Sequence, residues 1–238
     1  MDILILLRRC SRYDVPINLS HFQQNANMKN IGVLHVITDT TLQSRFTHPQ
    51  LTELAIQGGA DTIQFRHKNG TTRELVEIAR QMQIVCAQNE VPLIVNDRAD
   101  IALAVGAAGT HFGQDDMPVA IGKRILSSET VIGASARTEE KVLEAISDGA
   151  DYIGFGPIYQ TSSKPDAETP KGLERLRRMC EIAKCPVIAI GGITLQTTAA
   201  VIRAGAHGIA VISAVCNQPA PLVATKNLMR EIQQAKRV

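Results

Sequence analysis

From Ile31 onward, short apolar runs rich in Val and Ile alternate with longer stretches in which apolar residues recur at helical spacing. The runs lack the polar alternation of a half-exposed sheet, which is the pattern of parallel strands buried on both faces. Eight strands are expected, over residues 33–37, 62–65, 93–95, 110–112, 131–133, 152–155, 187–190 and 208–212. A weak internal repeat supports the count. Gly59, Gly106, Gly149 and Gly205 each stand between a helical stretch and the next run, where glycine can take the left-handed conformation that ends a helix. Pro92 and Pro186 each open a run and mark loops leading into strands. Eight strand–helix units in about 205 residues imply an α/β fold, a single-domain (β/α)8 TIM barrel over residues 31–238, rather than an open doubly wound sheet. In such a barrel the chemistry lies where strands end and helices begin.

Residues 1–30 do not share this patterning and read as an irregular extension. Their longest apolar run, residues 3–7, is far shorter than the roughly 20 residues that cross a bilayer, and Asp2 stands where a signal peptide carries positive charge. Neither a signal nor a membrane anchor is expected, and the shift in composition makes Met28 a candidate for the native start. Lys+Arg 25 against Asp+Glu 23, with five Phe, three Tyr and no Trp, leave no general basic or stacking surface for nucleic acid. The five cysteines are scattered, odd in number and without Cys-x-x-Cys spacing. That argues against a disulfide framework or zinc site and fits a reducing, cytoplasmic compartment.

The strand ends carry the chemistry. Gln64-Phe65-Arg66-His67-Lys68 puts Gln64, Arg66 and Lys68 on one face by the period of two, which suits an anion. The third run ends in Asn96-Asp97-Arg98 and the fourth in His111-Phe112-Gly113-Gln114-Asp115-Asp116. Carboxylates at adjacent strand ends, Asp97 and Asp116 above all, can hold a hard divalent cation. The fifth run leads into Ser135, Ala136 and Arg137, small residues first, so that a ligand can approach the backbone. The sixth opens a long polar loop in which Thr161, Ser162, Ser163 and Lys164 suit phosphate oxygens. After the seventh and eighth, Gly191-Gly192 and Ile212-Ser213 offer backbone N–H groups of the kind that bind phosphate in this fold. Singly, each of these residues reads as an ordinary turn, helix cap or solvated loop. Together they outline three anion-friendly positions. No Gly-x-Ser-x-Gly elbow occurs and no cysteine has an evident histidine partner, while His35 and His207 are expected to be packed structural histidines. The residues alone point to an enzyme handling phosphorylated small molecules with a divalent metal.

Taken in order, these motifs resemble the thiamine phosphate synthase family over residues 33–235. The resemblance rests on Gln64-Phe65-Arg66 with Lys68, Val95-Asn96-Asp97, His111 with Gly113-Gln114 and Asp116, and Ser135-Ala136. It continues through Gly156-Pro157-Ile158-Tyr159 with Thr161, Ser163 and Lys164, then Ile190-Gly191-Gly192-Ile193 and Val211-Ile212-Ser213. It implies a transferase that joins 4-amino-2-methyl-5-hydroxymethylpyrimidine diphosphate to 4-methyl-5-(2-phosphoethyl)thiazole, releasing thiamine phosphate and pyrophosphate. It also implies roles. Gln64, Arg66, Lys68, Asn96, Ser135 and Lys164 would hold the pyrimidine diphosphate, with Arg66, Lys68, Lys164 and Ser135 the catalytic members. Asp97 and Asp116 would bind the cofactor, Mg2+, and Thr161, Ser163, Gly192, Ile212 and Ser213 would grip the thiazole phosphate. The implied partners are these phosphorylated substrates, not nucleic acid or membrane, and a homo-oligomer is left open.

Three positions depart from the family's usual residues: His67 replaces Glu, Arg137 replaces His and Ser163 replaces Thr. A sister group, the thiazole tautomerases, resembles this chain in Leu34-His35-Val36-Ile37-Thr38-Asp39 and Gly208-Ile209-Ala210-Val211 but uses a histidine where Arg137 stands. A non-catalytic sensor of a thiamine precursor is the remaining alternative. Such a sensor has no need of the charge cluster Arg66, Lys68, Asp97, Asp116 and Lys164.

Overall fold

All eight expected strands form in the computed structural model: β1 (Leu34–Thr38), β2 (Thr62–Phe65), β3 (Leu93–Asn96), β4 (Gly109–Phe112), β5 (Val131–Ala136), β6 (Tyr152–Phe155), β7 (Val187–Ile190) and β8 (Gly208–Val211). Each pairs in parallel with the next and β1 pairs with β8, so the sheet closes into a (β/α)8 TIM barrel. Helices α1 (His48–Gln57), α2 (Thr72–Gln88), α3 (Ala99–Val105), α4 (Val119–Ile125), α5 (Glu139–Ser147), α6 (Gly172–Ile182) and α7 (Leu195–Arg203) follow the first seven strands. The short α8 (Ser213–Cys216) and α9 (Pro221–Ala235) follow the last. The structure describes residues 29, 31–161, 163 and 169–237; the candidate start at Met28 and the loop residue Lys164 lie outside the described residues. No helix among the described residues is long and apolar enough to cross a membrane.

Local signals set the element ends. Capping boxes, Thr47 with Gln50 and Thr71 with Glu74, open α1 and α2 by satisfying backbone N–H groups that have no helical partner. Gly59, Gly106, Gly149 and Gly205 all carry positive φ where the chain leaves a helix for the next strand, as their repeat suggested. Four strands end elsewhere than the sequence reading placed them: β1 runs on to Thr38 and β3 to Asn96, one residue further each, and β5 and β8 differ too. β8 stops at Val211, and Ile212 caps α8 instead of extending the strand. β5 runs on to Ala136 rather than stopping at Gly133, because Ser135 pairs with Gly154 and Ala136 with Phe155. Small residues of weak strand preference are held there by the ladder to β6.

The period of two then divides the barrel. Ile63, Phe65, Val95, Ile132 and Ile153 face outward into the large core beneath the helices. Ile37, Ile94, Tyr152, Ile188 and Ala210 belong to a separate cluster filling the lumen. Burying each large apolar side chain contributes about 1.5–3 kcal/mol, which explains why the strands read as uninterrupted apolar runs. Space in the lumen is tight. A Cβ on Gly133 would lie 2.1 Å from the Tyr152 ring, so the missing side chain is what lets Tyr152 lie across β5. Gly133→Ala should therefore cost about 1–3 kcal/mol through overpacking. A urea unfolding midpoint unchanged from the parent would show that the ring has room to move.

Candidate active site

At the carboxyl ends of the strands lies a cavity of about 240 Å³. On one side of its chemistry is Arg66, which follows β2 and is buried, as is Asp39, which follows β1. The Arg66 guanidinium donates to Asp39 Oδ2, while Asp39 Oδ1 accepts from the Thr41 backbone N–H at 2.9 Å and from its hydroxyl at 2.5 Å. Burial of a charge pair is tolerated only when the remaining lone pairs are satisfied, and Thr41 satisfies them. Phe65 points the other way, into the outer core, so the expected alternation of Gln64, Arg66 and Lys68 against Phe65 is present.

Lys68 Nζ lies 2.7 Å from Asp97 Oδ2. Asp97 has a φ of +64°, a left-handed conformation that Asp tolerates better than most residues. It is not a helix cap: Arg98 is the N-cap residue of α3. Asp97 and Asp116 share a hydrogen bond, and Asp116 Oδ2 also accepts from the Gly113 N–H at 2.7 Å. Burial pushes both carboxyls up. At Asp97 the hydrogen bond from Asp116 and the Lys68 ammonium outweigh burial and hold the group below its usual range. At Asp116 burial and the ionised neighbour act together and hold it above.

Another part of the wall is built by β7 and the loop after β6. Gly191 and Gly192 have φ of +95° and +63°, and a Cβ on Gly192 would meet the Gln160 carbonyl oxygen at 2.4 Å. This close approach lets Ile158 N–H donate to Ile190 O at 2.9 Å and Tyr159 N–H to Gly191 O at 3.0 Å. The far end of the loop returns to the same place, Lys171 N–H donating to Pro157 O and Gly172 N–H to Ile158 O. Thr161 and Ser163 are thereby carried to Ser213, whose Oγ is 3.3 Å from Ser163 Oγ.

Arg66, Lys68, Asn96, Asp97 and Asp116 therefore line one cavity together with Ser135, Thr161, Ser163, Gly192, Ile212 and Ser213. Gln64 does not line it. That side chain is buried in the lumen beside Tyr152 instead. His111, Gln114 and Arg137 stand on the wall without a role from sequence, and Asp39 entered only as the end of the run 34–39 shared with the thiazole tautomerases. Gln114 donates to the Ser135 carbonyl, and His111 reaches the Ser135 hydroxyl at 2.9 Å. The signal for Asp39 and His111 lies in the period of two, which puts both in line with the strand ends.

His35 and His207 are packed histidines, as expected, and bond to the Gly32 and Ile31 carbonyls at 3.0 and 2.7 Å. The departure at His67 is absorbed by a neighbour: its Nδ1 lies 2.9 Å from Nε2 of His48, which burial first and His67 second hold down to about 4. Cys86 and Cys216 are buried, with thiols pushed up by burial to about 12 and 11, and are no nucleophiles.

Fold and site define a class first: a single parallel barrel enzyme with one charged, hydroxyl-rich pocket at its strand ends. The sequence profile described as thiamine monophosphate synthase matches residues 34–215, and the chain belongs to that family. It is 47% identical over 197 residues to the thiamine-phosphate synthase of Salinibacter ruber, covering 83% of this chain and 87% of that one. With the thiamine-phosphate synthase of Chloroflexus aurantiacus it shares 48% identity over 182 residues, covering 76% and 84%. A solved thiamine phosphate pyrophosphorylase from Pyrococcus furiosus superposes with a TM-score of 0.78 at 38% identity, covering 85% of this chain and 96% of that one.

Asp39→Ala leaves a buried guanidinium without its counter-charge and should cost about 3–5 kcal/mol of stability. Lys68→Ala breaks a pair whose lysine is half exposed and should cost no more than about 1 kcal/mol. Chemical denaturation of the two variants side by side checks the contrast, and equal losses would contradict it.

Proposed function

We propose that this chain joins the pyrimidine diphosphate and the thiazole phosphate named above into thiamine phosphate, in the cytoplasm. One observation carries the reading: three cations, Arg66, Lys68 and Arg137, and three carboxylates, Asp97, Asp115 and Asp116, share a single cavity with a cradle of hydroxyls and glycine backbone. In the reaction, the bond between the pyrimidine's methylene carbon and the leaving oxygen breaks, and both electrons depart with pyrophosphate. The 4-amino group shares the positive charge left behind, so no protein nucleophile is required. The thiazole nitrogen then gives its lone pair to that carbon.

The protein's part is electrostatic and positional. Arg66 and Lys68, joined by Lys164, offset charge growing on the leaving group, and Arg66 meets it already oriented by Asp39. The hydroxyls of Thr161, Ser163 and Ser213 and the backbone of Gly192 and Ile212 hold the thiazole phosphate, which fixes the nitrogen for attack. Asn96 and Ser135 orient the pyrimidine diphosphate, with Gln64 acting from beneath.

The carboxylate pair fits Mg2+. Asp97 and Asp116 are close enough to share a proton. No third His, Cys, Asp or Glu joins them among the described residues, which leaves other positions to water and diphosphate oxygens, as magnesium prefers. Bound there, the ion would neutralise and orient the diphosphate. Such binding requires both carboxyls ionised, and Asp116 holds its proton to higher pH than an ordinary aspartate. Mg2+ affinity measured by calorimetry should therefore fall on acidification through that raised range; an affinity that stays flat would contradict the pair as ligands.

The functional test mixes the protein, both substrates and Mg2+ and follows thiamine phosphate as fluorescent thiochrome after oxidation. Product that disappears with EDTA is expected, and Asp97→Ala or Lys164→Ala should each lower kcat by about 10²-fold or more. Folded protein that forms no product overturns the reading.

A further inference from the structure

The ladder between β1 and β2 reaches its last rung at Arg66, whose backbone N–H donates to Thr38 O at 3.3 Å. From His67 to Gly70 the chain makes no backbone–backbone hydrogen bond among the described residues, although this stretch carries Lys68 to the cavity wall. Backbone without a ladder keeps many conformations open, so side chains must set its course. Lys68 itself reaches Asp97 at 2.7 Å, but the lysine is half exposed and such a pair holds the chain weakly. The other fastening is His67.

His67 stands between two residues of the cavity wall without being on it, as the alternation of Arg66, His67 and Lys68 requires. Its ring is turned to the start of α1, with Nδ1 2.9 Å from His48 Nε2. The receiving ring is firmly seated. His48 is buried, its Nδ1 lies 2.8 Å from Thr38 Oγ1, and it packs edge-on against Phe65 with ring centroids 4.9 Å apart. Thr40 Oγ1 flanks the same Nε2 at the longer distance of 3.3 Å. Two imidazole nitrogens 2.9 Å apart have one proton between them, whichever ring owns it, so the bond holds while the pair carries no more than one positive charge. Burial first and His67 second hold His48 down to about 4, against the pull of Asp39, so the second charge is not reached near neutral pH.

We infer that His67 is a positioning residue: fastened to His48, it holds the chain on either side of it so that Arg66 and Lys68 converge on one anion in the cavity. Arg66 is already oriented by Asp39, so Lys68 depends on the fastening more. Thr161, Ser163 and Ser213 stand on other loops and do not depend on it. The identity of the anion, a diphosphate, rests on the synthase reading; the fastening itself does not.

His67→Leu removes the bond and keeps most of the side chain's bulk. It should raise KM for the pyrimidine diphosphate about tenfold, the worth of one hydrogen bond, and the Kd of inorganic pyrophosphate by calorimetry should rise with it. KM for the thiazole phosphate should stay as it was. His67→Asn, whose amide stands where the ring carries Nδ1, should recover most of the loss. In a Lys68→Ala background, His67→Leu should have almost no further effect. Equal damage with and without Lys68, or an equal rise in both KM values, would show that His67 serves packing alone and would overturn the inference. A second measurement needs no turnover. In 15N-labelled protein the two ring nitrogens should show a coupling across their hydrogen bond, identified by its loss in His67→Leu. Folded protein without that coupling has no such fastening, and the inference fails whether or not thiamine phosphate is made. If the unaltered protein forms no product, the synthase reading fails, and the coupling still decides the fastening.

Discussion

Closing eight parallel strands on themselves leaves a lumen that side chains must fill and cannot overfill. Everything at the site follows from that limit. A large inward residue on one strand requires a missing side chain on its neighbour, so Tyr152 is matched by Gly133 and His111 by Gly154. Apolar residues such as Ile94 and Ile188 take the remaining interior. Polar groups enter only where every lone pair and proton can be met, and the cavity opens above them.

The same limit explains why the charges at the site are arranged rather than merely present. Arg66 and Asp39 come from adjacent strands, β1 and β2, whose ladder fixes their spacing before any ligand arrives. In a setting with little water such a guanidinium acts on a developing negative charge without first reorienting. Lys68 and Asp97, nearer the solvent, are held less firmly and contribute little to the fold. The interior pair stabilises structure and function together, whereas the outer pair serves the ligand.

Strand positions were legible from sequence because a strand buried on both faces must be apolar throughout and must end in Gly, Pro or polar residues. The end of β5 was not, since Gly133, Ala134, Ser135 and Ala136 have no strand preference of their own and are held by β6. The charged strand-end residues announced themselves by type. Asp39 did not, because an Asp after a Thr looks like a turn until Arg66 is seen across the ladder. Tyr152 read as one more apolar strand residue, and Gln64 as a ligand contact. Their proximity depends on strands brought together only by closure of the barrel, which no local pattern encodes.

The loop after β6 leaves and rejoins the barrel at almost one point, with Tyr159 tied to Gly191 and Gly172 tied to Ile158. A segment whose two ends are fastened this way pays for its closure at the base, and each doubling of its length adds only about 0.6 kcal/mol. Residues between those fastenings can therefore be inserted, removed or exchanged with little effect on the eight strands below. Thr161 and Ser163 stand on a part of the chain that is free to diversify, while the carboxylates that follow β3 and β4 are committed to the barrel's own geometry.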